Sequence, residues 1–502
     1  MGPIVLANLS TYPRRPFLAP PYGLLYVASA LDRAGIDVRL YHRKVLDRGQ
    51  VLRAAEEILA LKPVLAGFST ISGPSLIPAL AVSKIIKTRT KIPVVWGGLH
   101  ATQYPEQVLA SPWVDYVVVG EGEETAVELA RALAVGPGGR FDPASIQGLA
   151  FKENGRLRIN QSRPLIENLD LYPPAWHHLN IDEYLTKKTY LLTDGGSELS
   201  EGRIASILTA RGCPWRCTYC YNLSVNQRRY RTHSVDFVVG MAHELRDRHG
   251  VEAIHIQDDH FYGEWERAFS IARRLRMPWS SSGRADEVVR WGNGILAELR
   301  STGLRELQIG AESGSPRILK LMKKDVTIEQ MFRAAELCDR HGIRVLFSFM
   351  TGIPGETDAD RRLTCEVMDR LERVGPSIVV NGPGVYFPWP GTPMNAMAEK
   401  LGYRPPAKTK DWDFMVWGTR QMKMPFAPGR VRLIEHYRRL AKRTATGSLR
   451  IPFFARILIS LARFRWKRRF FRFPADYYLP RLVLVWLRRH SGKGAAAVYD
   501  QE

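Results

Sequence analysis

Cys213-Pro-Trp-Arg-Cys217-Thr-Tyr-Cys220 follows directly on the apolar run Ile204-Ala-Ser-Ile-Leu-Thr-Ala210. Three cysteines in a C-x₃-C-x₂-C spacing leave an odd thiol over, and the loops between them are too short for ordinary disulfide geometry. They can instead face one metal centre together. Thiolates suit iron–sulfur ligation, and three of them hold three irons of a four-iron cubane while the fourth iron stays open. An open iron can chelate a small molecule and pass it an electron. The competing reading is a three-cysteine zinc site lacking its fourth ligand. What surrounds this loop decides between them.

The chain has 502 residues, enough for two to four domains, and its 45% hydrophobic content is that of a globular protein. Of five cysteines, only Cys338 and Cys365 lie outside the motif, in stretches of helical periodicity where each reads as a small buried hydrophobe. A reducing compartment is expected, because oxidation would threaten a cluster. The start Met-Gly-Pro-Ile-Val-Leu-Ala-Asn8 lacks the charged and long apolar regions of a secretory signal, so a cytoplasmic location is expected. No apolar stretch is long enough to span a bilayer. The net charge is +22, and Arg430 to Lys493 alone carries eighteen Lys or Arg against two acids, a surplus of +16. Most of the basic character therefore belongs to the tail, and it points to an anionic partner.

Residues 1–140 alternate short apolar runs with helical stretches: Pro3–Asn8, Gly35–Tyr41, Val64–Ser69, Pro93–Gly98 and Tyr116–Gly120, with helices near Tyr22–Ala34, Gln50–Leu61, Ile77–Thr88 and after Glu123. Repeated units of this length predict an α/β, Rossmann-like doubly wound domain. Ligands of such sheets bind beyond the carboxyl ends of the strands. The segments there supply Asn8, Ser69, Thr70, Gly97, Gly98, His100, Gly120, Glu121 and Gly122. No complete G-x-G-x-x-G follows the first strand, which argues against a nicotinamide cofactor. Residues 141–200 read as a linker with a small hairpin near Gly148–Arg158. From 201 to 400 the alternation resumes, with strands expected at Ile204–Thr209, Ala253–Gln257, Trp279–Ser282, Glu306–Gly310, Arg344–Met350 and Ser377–Tyr386. Six such units predict a partial (β/α)6 barrel whose site lies at the strand C-termini. Residues 401–502 are expected to form a mainly α-helical, basic C-terminal region.

The cysteine run, with Tyr219 just before its last member, resembles the signature of the radical S-adenosylmethionine (SAM) superfamily. Pro21-Tyr-Gly23-Leu-Leu-Tyr-Val-Ala, Gly97-Gly98-Leu-His100-Ala-Thr and Val119-Gly-Glu121-Gly-Glu123 resemble the cobalamin-binding domain placed ahead of many radical SAM enzymes. The chain is also similar to the anaerobic magnesium-protoporphyrin ester cyclase branch. The resemblance implies three cofactors: a 4Fe-4S cluster on Cys213, Cys217 and Cys220, SAM, and cobalamin. Asp258-Asp-His260-Phe-Tyr-Gly263 matches the D-x-H-x-x-G of another cobalamin class, but it lies outside the Rossmann-like segment and reads as coincidence. No histidine is assigned to cobalt. His100 is read as a pocket contact or a polar loop residue.

On the barrel, the resemblance implies SAM contacts at the strand ends. Asp258 and Asp259 would receive the SAM ammonium, with a helix N-cap as the competing reading. Arg284 would clamp the carboxylate with its fork of donors. Glu312 and Ser313 suit ribose or carboxylate. Gly352 and Pro354 belong to a strip that holds adenine, Tyr219 stands beside the cluster, and Pro388-Trp-Pro-Gly391-Thr392-Pro resembles the exit turn.

The implied reaction is reductive. A 5′-deoxyadenosyl radical takes a hydrogen atom from an unactivated carbon, which then receives a methyl group from cobalamin. The alternatives are a radical cyclase or oxidase using both cofactors, and a non-catalytic cobalamin sensor or adaptor. An electron donor of flavodoxin or ferredoxin type is expected. Trp412, Phe414 and Trp417 either close the mouth over an apolar substrate or pack in a core. The tail stretches Ile451–Trp466, Lys467–Arg472 and Tyr477–Arg489 suit interfacial helices on the inner face of an anionic membrane, or helices packed on the barrel with a basic outer face. Their aliphatic content argues against nucleic acid. A membrane-seated tail points to a hydrophobic substrate: lipid, isoprenoid, tetrapyrrole or natural product.

Overall fold

The computed structural model describes residues 2–11, 20–45, 47–73, 75–134, 142–185, 202–415, 434, 437–438, 453–469 and 476. In its N-terminal half, β1 (Ile4–Ser10), β2 (Val38–Lys44), β3 (Leu65–Ser69), β4 (Val94–Gly97) and β5 (Tyr116–Val118) form a parallel sheet in the order β2-β1-β3-β4-β5. Both faces are covered, which is why the strands are continuous apolar runs rather than alternating ones. Val5 and Ala7 face the helices Arg48–Ala60 and Leu76–Arg89, while Ile4 and Leu6 face Tyr22–Arg33 and Glu123–Ala134. The strand order reverses between β1 and β3, so a crevice opens beyond their carboxyl ends. The anticipated hairpin, β6 (Leu149–Glu153) and β7 (Arg156–Ile159), pairs antiparallel on β5 and carries the sheet past residue 140, to Ile159.

The second sheet is parallel throughout. Its strands β8 (Ile204–Ile207), β11 (Ala253–Ile256), β12 (Trp279–Gly283), β13 (Leu304–Glu312), β14 (Arg344–Thr351) and β15 (Ile378–Val385) stand side by side in chain order. A separate two-residue ladder, β9 (Ala210–Arg211) with β10 (Arg231–Thr232), brackets the cysteine loop. Helices return the chain between strands, and their ends are sealed locally. Ser234 Oγ accepts from Phe237 N (3.2 Å), Gly250 closes the same helix at φ 60°, and Thr327 with Gln330 forms a capping box. Cys338 and Cys365 are buried, as their helical surroundings predicted.

The described tail packs on the protein. Trp412 is fully buried against His100, Tyr104 and Phe387 and donates from Nε1 to Gln107 Oε1 (2.7 Å), the core packing that was one of its two expected roles. The Phe414 side chain and Trp417 lie outside the described residues, as do 470–475 and 477–502. The helix Phe453–Arg468 turns Trp466 onto Cys365 and Ile434, with Nε1 donating to Asp369 (2.9 Å). Arg438 donates to the carbonyls of Val380 (3.0 Å) and Gly382 (3.1 Å). Among the described residues no helix is long and apolar enough to cross a membrane.

Candidate active site

Because the six strands of the second sheet are parallel, their carboxyl ends share one edge, and the cysteine loop hangs from the first of them. Asp258, at the end of β11, pins its start. The carboxylate accepts from Thr209 N (2.6 Å), Ala210 N (3.1 Å) and the Thr209 hydroxyl, and Arg267 donates to Thr209 O (2.7 Å). Cys217 is buried and the other two are half-buried; all five cysteines are free thiols. Burial pushes the Cys213 thiol up to about 12 and Cys220 to about 11, with the neighbouring thiols and Asp259 adding to the push. Ligation of a metal by a thiol displaces its proton, so a bound cation would offset that cost of ionisation. Asn222 Nδ2, 3.8 Å from Cys220 Sγ, offers a hydrogen bond to that sulfur. Three thiols of one short loop, close enough to oppose one another's ionisation, fit the three protein ligands of a four-iron cluster with one open iron.

The strand-end residues divide into those facing the mouth and those turned inward. Tyr219 donates to Glu312 Oε1 (3.0 Å), which also lies 3.4 Å from Lys324 Nζ. Glu312 holds φ at +66°, a strained conformation for a non-glycine residue, and such strain clusters at functional sites. Asp259 is exposed and accepts from Tyr221 OH (2.5 Å). Gly352, at φ 77°, donates its N–H to Glu356 (2.7 Å), so that the Gly352–Gly355 turn, with Pro354 inside it, is set from within.

Three expectations change. Asp258 has its oxygens taken by Thr209 and Ala210, whereas the exposed Asp259 shares Oδ1 with the Tyr221 hydroxyl and lines the cavity. Arg284 donates to Asp286 (2.9 Å) and to Lys324 O (2.7 Å), and its guanidinium lies 3.7 Å from the Trp215 ring centroid. It therefore supports the cysteine loop from below. Ser313 is fully buried against Thr364 Oγ1 (3.1 Å) and accepts from Ser315 N (3.1 Å), which makes it a turn residue rather than a ribose contact. His260, of the D-x-H-x-x-G match, is buried 3.1 Å from Glu287 and 3.3 Å from Trp215 Nε1.

A mostly apolar cavity of about 520 Å³ joins the two sheets. Ser69, Gly97, Gly98, Gly120, Glu121 and Gly122 line it from the N-terminal side; Arg211, Gly212, Tyr221, Gln257 and Asp259 line it from the cysteine side. Asn8, Thr70 and His100 are not in the lining. Thr70 is buried and donates to Gly97 O (3.0 Å), and His100 is buried beside Ser72 Oγ (2.9 Å), its imidazole pushed down to about 3 by burial. Both shape the turn: Gly98, at φ +90°, lies so close to Thr70 that a Cβ would meet Thr70 O at 2.7 Å. A glycine floor under an apolar chamber fits a broad, flat ligand such as a corrin.

Sequence reasoning missed Tyr22 and Tyr26, which wall the cavity, and Arg211 and Glu123, which hold its two sides together. The available signal was position: Arg211 stands two residues before Cys213, and Glu123 closes the Gly-Glu-Gly-Glu run.

Residues 207–368 match the radical SAM superfamily, and residues 14–130 match the B12 binding domain. Over 361 residues the chain is 31% identical to an uncharacterised methyltransferase of Pyrococcus horikoshii, covering 70% of this chain and 74% of that one. It is 28% identical over 381 residues to an anaerobic magnesium-protoporphyrin IX monomethyl ester cyclase of Rubrivivax gelatinosus, covering 74% of this chain and 65% of the cyclase. A solved structure of the cobalamin-dependent SAM radical enzyme OxsB, with aqua-cobalamin and SAM bound, shares the fold. Its TM-score is 0.68 at 16% identity, over 98% of this chain and 75% of that one. The chain belongs to the cobalamin-binding radical SAM enzymes. Its cofactors are a 4Fe-4S cluster, SAM and cobalamin, and like others of its family it takes a small-molecule substrate and an external electron donor.

Proposed function

We propose that this enzyme methylates an unactivated carbon of a hydrophobic small molecule. One observation carries the reading: a single cavity is lined both by the glycine turns of the cobalamin domain and by the loop that bears the cysteines. When bound, the cluster and SAM supply a 5′-deoxyadenosyl radical and cobalamin supplies a methyl group. The chain's own task is to hold these facing one another and to keep water out. Cys213, Cys217 and Cys220 ligate the cluster. Asp259 receives the SAM ammonium, Glu312 and Tyr219 orient the nucleoside, and the Gly352–Pro354 backbone meets adenine. The cobalamin rests on Ser69, Gly97, Gly98 and the Gly120–Gly122 turn.

Phe68, Val95 and Val118 make the chamber apolar, which favours a lipid, isoprenoid, tetrapyrrole or related scaffold over a polar substrate. On the helix Phe453–Arg468, Ile457 and Leu461 (each 40% exposed) and Phe464 (56%) form an outward stripe flanked by Arg463 and Lys467. That arrangement suits an anionic membrane surface. A reduced flavodoxin or ferredoxin is the expected electron source.

The test is anaerobic turnover of the reconstituted enzyme with methyl-labelled SAM and cell extract. The expected result is a labelled product with S-adenosylhomocysteine beside 5′-deoxyadenosine. A product formed without label would establish the second reading, radical cyclisation or oxidation, which the similarity to the cyclase favours.

A further inference from the structure

Away from the cavity, three side chains converge between the cobalamin domain and the segment that follows it. Asp32 lies in the last turn of the helix Tyr22–Arg33, and His177 and His178 are consecutive in the short turn Trp176–His178. His177 Nε2 is 3.0 Å from Asp32 Oδ2, and His178 Nε2 is 2.9 Å from the same oxygen and 3.1 Å from Oδ1. All three ligand atoms fall within 4.8 Å of one another.

Neighbouring side chains in a tight turn ordinarily diverge. Here both imidazoles turn toward one carboxylate, their ring centroids 4.3 Å apart and their planes inclined at 40°. Metal–nitrogen and metal–oxygen bonds of about 2.0–2.2 Å place adjacent ligand atoms about 3 Å apart around one ion. The nitrogen–oxygen separations match. The donor set is also selective in kind, since two imidazoles with a carboxylate suit zinc and its first-row neighbours rather than calcium or magnesium. A carboxylate in the last turn of a helix meets the negative end of the helix dipole, and a cation relieves that repulsion. His177 is 67% exposed, so water can complete the coordination shell, while His178 (13%) and Asp32 (31%) anchor it.

We propose that Asp32, His177 and His178 form a binding site for a divalent transition-metal ion of the zinc type, which staples the Trp176–His178 turn to the cobalamin domain. The staple bears on the cavity through one helix. Tyr22, Gly23 and Tyr26, at the other end of Tyr22–Arg33, line the chamber. Trp176 packs edge-on against Tyr22 at 6.2 Å, and Ala175 N donates to Leu25 O (3.2 Å). Ion occupancy therefore stiffens one wall of the chamber.

The experiment uses the full chain with its cluster and cobalamin loaded, so that the cysteine loop is already filled. Zinc(II) binding is measured by equilibrium dialysis, and thermal unfolding is followed with and without zinc, for the wild type, His178→Ala, Asp32→Asn and His177→Gln. The expected result is one more dialysable zinc per chain in the wild type than in any variant, with a zinc-dependent rise in Tm that the variants lose. His177 is exposed, so His177→Gln keeps the test decisive if another variant does not fold. Equal zinc and equal melting shifts in all four proteins would overturn the site and leave two imidazole N–H groups sharing a carboxylate.

Discussion

Arg211 Nη1 stands 2.9 Å from Glu121 Oε1, and its Nη2 stands 2.7 Å from Glu123 Oε1. The residue two places before Cys213 is thus tied to the glycine turn that lines the other side of the cavity. Arg231, across the β9–β10 ladder, adds 2.8 Å to Glu121 Oε2 and 2.7 Å to Ile166 O. The Arg211 guanidinium also lies 4.4 Å from the Tyr26 ring centroid, on the cavity wall. Two folding units that carry different cofactors are held in register by one buried ionic network.

Removing one partner of a buried pair strands the other's charge, at a cost of about 3 kcal/mol. Arg231 is only 4% exposed, so Glu121→Gln is expected to lower stability to chemical denaturation by about that amount and to weaken cobalamin binding. Denaturation midpoints and a cobalamin titration check it. Unchanged values for both would mean that the network is ornamental.

The same pair sets a pH dependence. Burial alone would raise the Glu121 carboxyl, but the Arg231 hydrogen bond and the charges of Arg211 and Arg231 hold it below the usual glutamate range. A depressed carboxylate contributes its full stability above its unfolded pKa, about 4.3, and loses it as the pH falls through the lower folded value. The gap between wild type and Glu121→Gln should therefore be constant from neutral pH down to about 5 and shrink below about 4.3. A gap that closes near neutrality would assign the effect to another group.

Glu312 is held by Tyr219 and Lys324 in a strained backbone conformation. Glu312→Gln preserves the shape and removes the charge, and a lost charge-assisted hydrogen bond weakens binding by about 10- to 100-fold. SAM affinity of the cluster-loaded protein should fall in that range while iron content stays level. Loss of iron instead would place Glu312 in support of the loop.

The Arg284 guanidinium lies over the Trp215 ring, 3.7 Å from its centroid, and the side chain is 5% exposed. Lysine keeps the charge but has neither the plane nor the fork, so Arg284→Lys should cost about 2 kcal/mol of stability and loosen the cluster. Iron retention during anaerobic dialysis reads this directly. A variant that keeps its iron but no longer binds SAM would restore the role of carboxylate clamp.

Much of this protein is legible along the chain because its signals are local. The runs Pro3–Asn8 and Pro93–Gly98 announce strands, and the cysteine spacing announces a cluster. The six expected strands of the second sheet differ from the observed ones by a residue or two at their ends, most at β13, which runs Leu304–Glu312. The Gly97-Gly98 and Gly120–Gly122 turns reach the cavity because backbone position alone puts them there.

The direction of the long polar side chains was decided only in three dimensions. Asp258, Arg284 and Ser313 stand at strand ends, as their motifs implied, yet each is drawn inward by a partner remote in sequence: Thr209, Trp215 and Thr364. Trp412 is likewise claimed by the His100–Tyr104 corner of the other domain. Sequence by itself determined the succession of strands and helices along the chain and the chemistry of the cysteine loop, since periodicity and spacing are properties of neighbours. Tertiary structure decided which charges meet, because a buried charge must find its counter-charge wherever the folded chain supplies one.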